Sequence, residues 1–315
     1  KSWPNARLVL TFFSPSGYEV MKNYPGADHI FYLPMDSPQN ARRFIDLINP
    51  HLVLWVKYEY WFHYLHTLKE RNIPVLLVSG IFRESQPFFK WYGKEWREML
   101  PCFSHLFVQN QASVEWLKKL GFSANVSVGG DTRFDRVISI AGNFSELPLI
   151  ASFCGSSPVL VAGSTWDEDE VELLHFVNTN PGIRFIIAPH EVDPGNLADV
   201  KKQFPQAVFY SELEKSAAGE WPSTHVLIID NVGMLSRLYK YATVAFIGGG
   251  FGDDGVHNVL EAAVYQKPVI FGPVFHKYEE AIGLREAGGA VSAPDGEPQI
   301  VAHQGSDTPA FPFHY

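Results

Sequence analysis

The chain has 315 residues, and its 46% hydrophobic content is enough to fill two cores of roughly 150 residues each. Only 19% of residues are charged and the formal net charge is -9, so no global basic field exists to bind nucleic acid. Cys102 and Cys154 stand alone, without C-x-x-C or Cys/His ligand spacing, which argues against a disulfide or zinc framework and fits a reducing compartment.

Residues 1–5 do not read as a signal peptide, and no apolar run approaches the roughly 20 residues of a membrane-spanning helix. The chain starts without Met and enters an apolar strand at once, so a natural N-terminus further upstream is expected. Short β-branched or apolar runs then recur at 8–13, 30–33, 52–56, 75–78, 106–108 and 126–128, with helix-like stretches between them. This strand-helix-strand rhythm predicts a parallel sheet covered on both faces. It pauses at 138–157, where Gly142, Pro148, Gly155 and Pro158 interrupt it, and resumes at 159–162, 185–188, 208–210, 226–229, 244–247 and 269–271. Two domains follow, 1–145 and 146–291, both doubly wound α/β, with ligand expected in a central cleft at the carboxyl ends of the strands. From 292 to 315 prolines scatter without periodicity, and this tail reads as irregular.

The most informative segment is Phe246 to Glu261, an apolar strand, a glycine-rich turn and an expected helix opening near His257. Glycines 248, 249, 250, 252 and 255 would allow close backbone approach to a ligand, and a helix N-terminus would offer N–H groups to a phosphate. On that helix His257, Asn258 and Glu261 would share a face, where Glu261 could accept a ribose diol. The same pattern also suits a tight turn with a histidine cap, and Asp253 and Asp254 would repel a phosphate unless they point away. The His257/Glu261 pair finds no third ligand at recognisable spacing, so no metal is expected.

The glycine-rich loop with His257-Asn258 and Glu261, followed by Lys267-Pro-Val-Ile-Phe-Gly-Pro273 and His276, resembles the donor-binding half of bacterial 3-deoxy-D-manno-octulosonic acid (Kdo) transferases. Gly163-Ser-Thr165 before an acidic helix, and Asp230-Asn-Val-Gly-Met-Leu235, are similar in the same way. In the first half Thr11 to Glu19, Tyr58-Glu-Tyr-Trp61 and Gly130-Asp-Thr-Arg-Phe-Asp135 resemble further signatures of that family, in the same order, over about residues 7 to 290. The resemblance implies a GT-B-type glycosyltransferase: inverting, metal-independent, without a cofactor, and moving Kdo from CMP-Kdo to a lipid A precursor (lipid IVA) at the cytoplasmic face of the bacterial inner membrane. It carries CMP contacts to Ser164, Thr165, Pro189, His190, Val232, Gly233 and Met234, and to His257, Asn258, Val259, Leu260 and Glu261. It makes Glu59 and Arg133 stabilisers of the transition state, and it places the general base, a Glu, upstream of Lys1. Pro189 stands where the family commonly has Arg, and Arg133 where Lys is usual. Apart from the resemblance, Glu59 reads as a half-buried surface carboxylate and Arg133 as an ion-pair partner of Asp135.

Two segments of the first half remain open. Phe88 to Trp96 mixes aromatic rings with basic residues, which suits a membrane interface or acyl chains as well as it suits a packed helix. Ser14, Ser16 and Gly17 could meet an acceptor phosphate or acid, or could simply cap a helix. A sugar-nucleotide 2-epimerase of the same fold, and a nucleotide-binding fragment without activity, are the alternatives to a transferase.

Overall fold

The computed structural model describes residues 5–215 and 223–293. The expectation for 294–315 lies outside the described residues, while Ser292, assigned above to the tail, closes a strand. Two compact units part between Thr132 and Arg133, thirteen residues before the expected 145/146 border (145 − 132 = 13). The reason lies in helix Thr132–Gly142 and the loop after it, which pack with the second unit: the Phe144 ring meets those of Tyr241 and Tyr265, and the Leu147 N–H donates to Tyr241 Oη at 2.7 Å.

In the first unit β1 (Val9–Phe12) pairs with β2 (His29–Tyr32) in parallel, and β3 (Val53–Val56), β4 (Val75–Gly80), β5 (His105–Val108) and β6 (Val126–Val128) form a separate parallel sheet in that order. Strand side chains alternate between faces, and only one face of the larger sheet is fully covered. Val75, Leu77, Leu106 and Val108 are buried against helices Pro38–Ile48, Phe62–Glu70 and Gln111–Lys119, which contribute Ala41, Ile45, Leu65, Leu68 and Leu117. On the other face Leu54 and Val56 are more than half exposed. Two of these helices are fixed by local chemistry. Ser37 and Asn110 accept the N–H of Asn40 and Ser113 as N-caps, and Asn49 ends its helix in the left-handed region at φ 46°.

The second unit holds one parallel sheet in the order β13-β12-β11-β7-β8-β10-β9. Its strands are β7 (Val159–Thr165), β8 (Arg184–Pro189), β9 (Val208–Phe209), β10 (Val226–Ile228), β11 (Val244–Ile247), β12 (Val269–Phe271) and β13 (Ala290–Ser292). Tyr210, read above as strand, instead opens helix Tyr210–Lys215. Val159 and Val161 of β7 enter one core, Leu160 and Ala162 the other, so apolar runs rather than alternation mark these strands. From β7 the chain winds outward through β8, then returns to the opposite side with β11 to β13. The reversal leaves a crevice at the carboxyl ends of β7 and β11, where ligands bind in open α/β sheets.

Candidate functional site

At that crevice β7 ends in Gly163, Ser164 and Thr165. Ser164 sits in the left-handed region at φ 55°, and the register with β8 shifts there. The Trp166 side chain follows and completes a stack: its ring lies 4.5 Å from that of His190, which lies 4.5 Å from that of His257 at an interplanar angle of 12°. Trp166 Nε1–H donates to His257 Nε2 at 2.9 Å. An acceptor at Nε2 requires the unprotonated ring nitrogen, and burial together with the neighbouring His190 pushes the His257 pKa below its ordinary value. His257 is therefore a neutral ring at physiological pH. Trp166 carried no motif in the sequence; only its place after Gly163-Ser-Thr165 hinted at the site.

The glycine-rich loop differs from the expected phosphate cradle. No helix opens at His257: the helix is Leu260–Ala263, four residues long, and His257 and Asn258 precede it in extended loop. Several of the loop's N–H groups are spent internally. Gly248 N–H donates to Gly163 O, Gly249 N–H to Asp169 Oδ2, Val256 N–H to Val274 O and His257 N–H to Gly248 O. Two of the glycines are required by packing. A Cβ on Gly248 would collide with the backbone of Ser164, and one on Gly250 with that of Gly272. Asp169, fully buried, ties this loop to the start of helix Asp167–Thr179 by also accepting Trp166 N–H at 2.9 Å. Asp253 and Asp254 are exposed.

Beneath the stack, buried Thr165 donates from Oγ1 to Glu170 Oε1 at 2.9 Å. Burial is the main reason the Glu170 carboxyl is pushed up to about 7, and the charges of Asp167 and Asp169 add to it. Pro189 is buried, and His190 N–H donates to Thr165 O. Val259 and Leu260 are buried in the core, so they offer a ligand no side chain.

A second group of the sequence-selected residues opens onto a groove of about 600 Å³. One wall is Arg136, Ser139, Ile140 and Asn143, spaced as one face of a helix; the other is Gly233, Leu235, Ser236 and Arg237, and Glu261 completes it. Glu261 Oε1 accepts from Asn258 Nδ2 at 3.2 Å; burial raises its pKa, with Arg136 pulling the other way. Val232 is 85% exposed and Met234 buried, and Gly233 between them needs its positive φ of 95°.

In the first unit Glu59 follows β3, is exposed, and accepts Trp61 Nε1–H at 3.1 Å. Lys57 and Ser79, at the carboxyl ends of β3 and β4, are left-handed at φ 63° and 57°. Lys57 Nζ pairs with the buried Asp131 at 3.4 Å, and Ser79 Oγ accepts Thr132 N–H at 2.8 Å. Ser14 precedes helix Pro15–Met21 without a side-chain cap bond, so the simple N-cap reading fails; its hydroxyl lies 2.7 Å from that of Ser16. Gly17 packs against the Phe12 ring. Arg133 opens the second unit and donates to Glu280 Oε1 at 2.7 Å, a partner 147 residues away that sequence reading did not name beside Asp135. Among the described residues no group of three or more His, Cys, Asp or Glu side chains could hold a metal ion.

Two Rossmann-like α/β units with open carboxyl ends define a protein of the GT-B type. The fold is shared by UDP-N-acetylglucosamine 2-epimerases: one solved structure aligns with TM-score 0.63 and 15% identity over 94% of this chain and 78% of its own. That from Methanocaldococcus jannaschii aligns with TM-score 0.58 and 16% identity over 92% and 81%. At such identity the likeness is one of fold alone. The sequence is more particular. Residues 1–136 match the family described as 3-deoxy-D-manno-octulosonic-acid transferase. It is 27% identical to the transferase of Haemophilus influenzae, covering 93% of this chain and 71% of the relative, and 26% identical to that of Aquifex aeolicus, covering 94% and 76%. A bifunctional glycosyltransferase/methyltransferase of Fusobacterium nucleatum is 27% identical over 84% of this chain, which spans only 42% of that relative's length.

Proposed function

We propose that this chain acts as a Kdo transferase, which moves Kdo from CMP-Kdo to a lipid A precursor such as lipid IVA in lipopolysaccharide assembly. The family match over residues 1–136 and the transferase relatives support the reaction class. The single observation that carries the donor assignment is the gathering of Gly233 and Glu261 on one groove, although 28 positions separate them (261 − 233 = 28). Glu261 is suited to the ribose diol, since a carboxylate accepts two hydroxyls at once. His257 and the adjoining His190, stacked beside Trp166, belong to the same CMP-binding reading as hydrogen-bonding rings. Transfer also requires a base to take the acceptor hydroxyl proton. Glu59 and Arg133 serve charge stabilisation in this reading. Arg133 would act while oriented by Glu280.

The lipid acceptor and the cytoplasmic face of the inner membrane belong to the same proposal. The aromatic segment gives it partial support: Phe88 is in the core, while Trp91 and Tyr92 are 92% and 57% exposed beside Lys90 and Lys94. No helix among the described residues is long and apolar enough to cross a membrane.

Calorimetric titration with CMP, UDP and CMP-Kdo tests the reading. CMP and CMP-Kdo should bind and UDP should not; selective UDP binding without a response to CMP overturns it in favour of the epimerase.

A further inference from the structure

The groove holds more positive charge than the family resemblance accounts for. Arg136 reaches it from one wall and Arg237 from the other, and Glu261 is the one carboxylate among the lining residues. Arg136 shares its helix face with Ser139, and Asn143 follows one turn on, so the wall presents a cation flanked by neutral polar groups. Arg237 is steadied from outside, its Nη1 donating to Ser145 Oγ at 3.3 Å. Arg136 is near enough for its charge to act on Glu261, yet the two form no salt bridge among the described residues. Two guanidiniums about one carboxylate leave the site with a surplus positive charge, and guanidinium geometry matches phosphate bidentately.

We propose that Arg136 and Arg237 hold the phosphate of a ribonucleoside monophosphate unit whose ribose diol rests on Glu261. The site thus selects nucleotide over nucleoside from two walls of one groove. The inference deepens the donor reading above and rests on it for the ribose contact of Glu261 and the identity of the base. A groove of this size suits a ligand of that class. With the loop N–H groups of Gly248, Gly249 and His257 occupied internally, side chains are left to supply much of the positive field.

The test compares cytidine, CMP, UMP and AMP by calorimetry at fixed ionic strength, on the full chain and on R136Q, R237Q and the double variant. Wild type should bind CMP at least about tenfold more tightly than cytidine, the range expected of a charge-assisted hydrogen bond. Each single substitution should remove most of that preference while leaving cytidine within about twofold, and R136K and R237K should restore part of it. A CMP preference that survives in the double variant overturns the assignment and leaves the donor reading standing. So does an equal loss of cytidine and CMP, which would mark the arginines as structural. If UMP or AMP binds in place of CMP and the preference for phosphate still falls with the arginines, the phosphate assignment holds and the CMP reading fails. A wild-type chain that binds none of the four ligands overturns both.

Discussion

The two units are built from the same strand-helix rhythm but cover their sheets differently. In the second, β7 sends Val159 and Val161 to one core and Leu160 and Ala162 to another, and both are closed by helices. In the first, the β3–β6 sheet buries Val75 and Leu106 on one face and leaves Leu54 and Val56 exposed on the other. A strand with two buried faces gains stability from every residue, whereas a strand with one gains from every second residue. Substitutions should therefore register unequally in the two units.

The largest contrast comes from the double-faced sheet. Phe246→Ala, which empties a site 3% exposed on β11 itself, should cost about 3–5 kcal/mol, read as lost hydrogen-exchange protection in strands β7, β8 and β10 to β12. Protection lost equally in both units would show that they unfold as one, and the comparison would break.

Next is Glu170. A carboxyl held near 7 when folded and near its ordinary 4.5 when unfolded binds its proton more tightly in the native state. Stability should therefore be full below about pH 4.5 and fall as pH rises through 7, by up to ~3 kcal/mol. Glu170→Gln keeps an acceptor for Thr165 and should flatten that slope. A slope unchanged in the variant would place the titrating group elsewhere.

Arg133→Gln should cost roughly 1–2 kcal/mol, because Glu280, whose side chain is 8% exposed, loses a charged partner. Urea denaturation at pH 7 measures this, and a double-mutant cycle in which Arg133→Gln costs little in the Glu280→Gln background would confirm the cause. The smallest effects belong to the open face. Leu54→Ala and Val56→Ala should stay within about 0.5 kcal/mol; a loss several times larger would mean that the face is covered in solution.

Much of the fold was legible because parallel strands announce themselves as apolar runs. Every run read as strand forms one, apart from the shift of Tyr210 into a helix. What the sequence hid was pairing. The break between β2 and β3 is invisible in runs that look alike, and β13 is only Ala290–Ser292. The site divided along the same line. Gly233 and Glu261 could be gathered by motif, but Trp166 joins His257 across 91 positions through an indole N–H that no local spacing encodes. The glycine loop misled for a physical reason: glycine allows close approach to a ligand and to other backbone equally, and here other backbone took the space.

Three side chains at strand ends, Lys57, Ser79 and Ser164, occupy a backbone region in which glycine would be comfortable. Two of them explain themselves: Lys57 reaches Asp131, and Ser79 clasps the Gly130 carbonyl and the Thr132 N–H. Replacing either with glycine would relax the backbone and undo the clasp. Ser164 has no such hold among the described residues, so Ser164→Gly should leave the folded chain as stable or more so, and any penalty should surface only when a ligand arrives. A cost seen without ligand would reveal that its hydroxyl is already engaged.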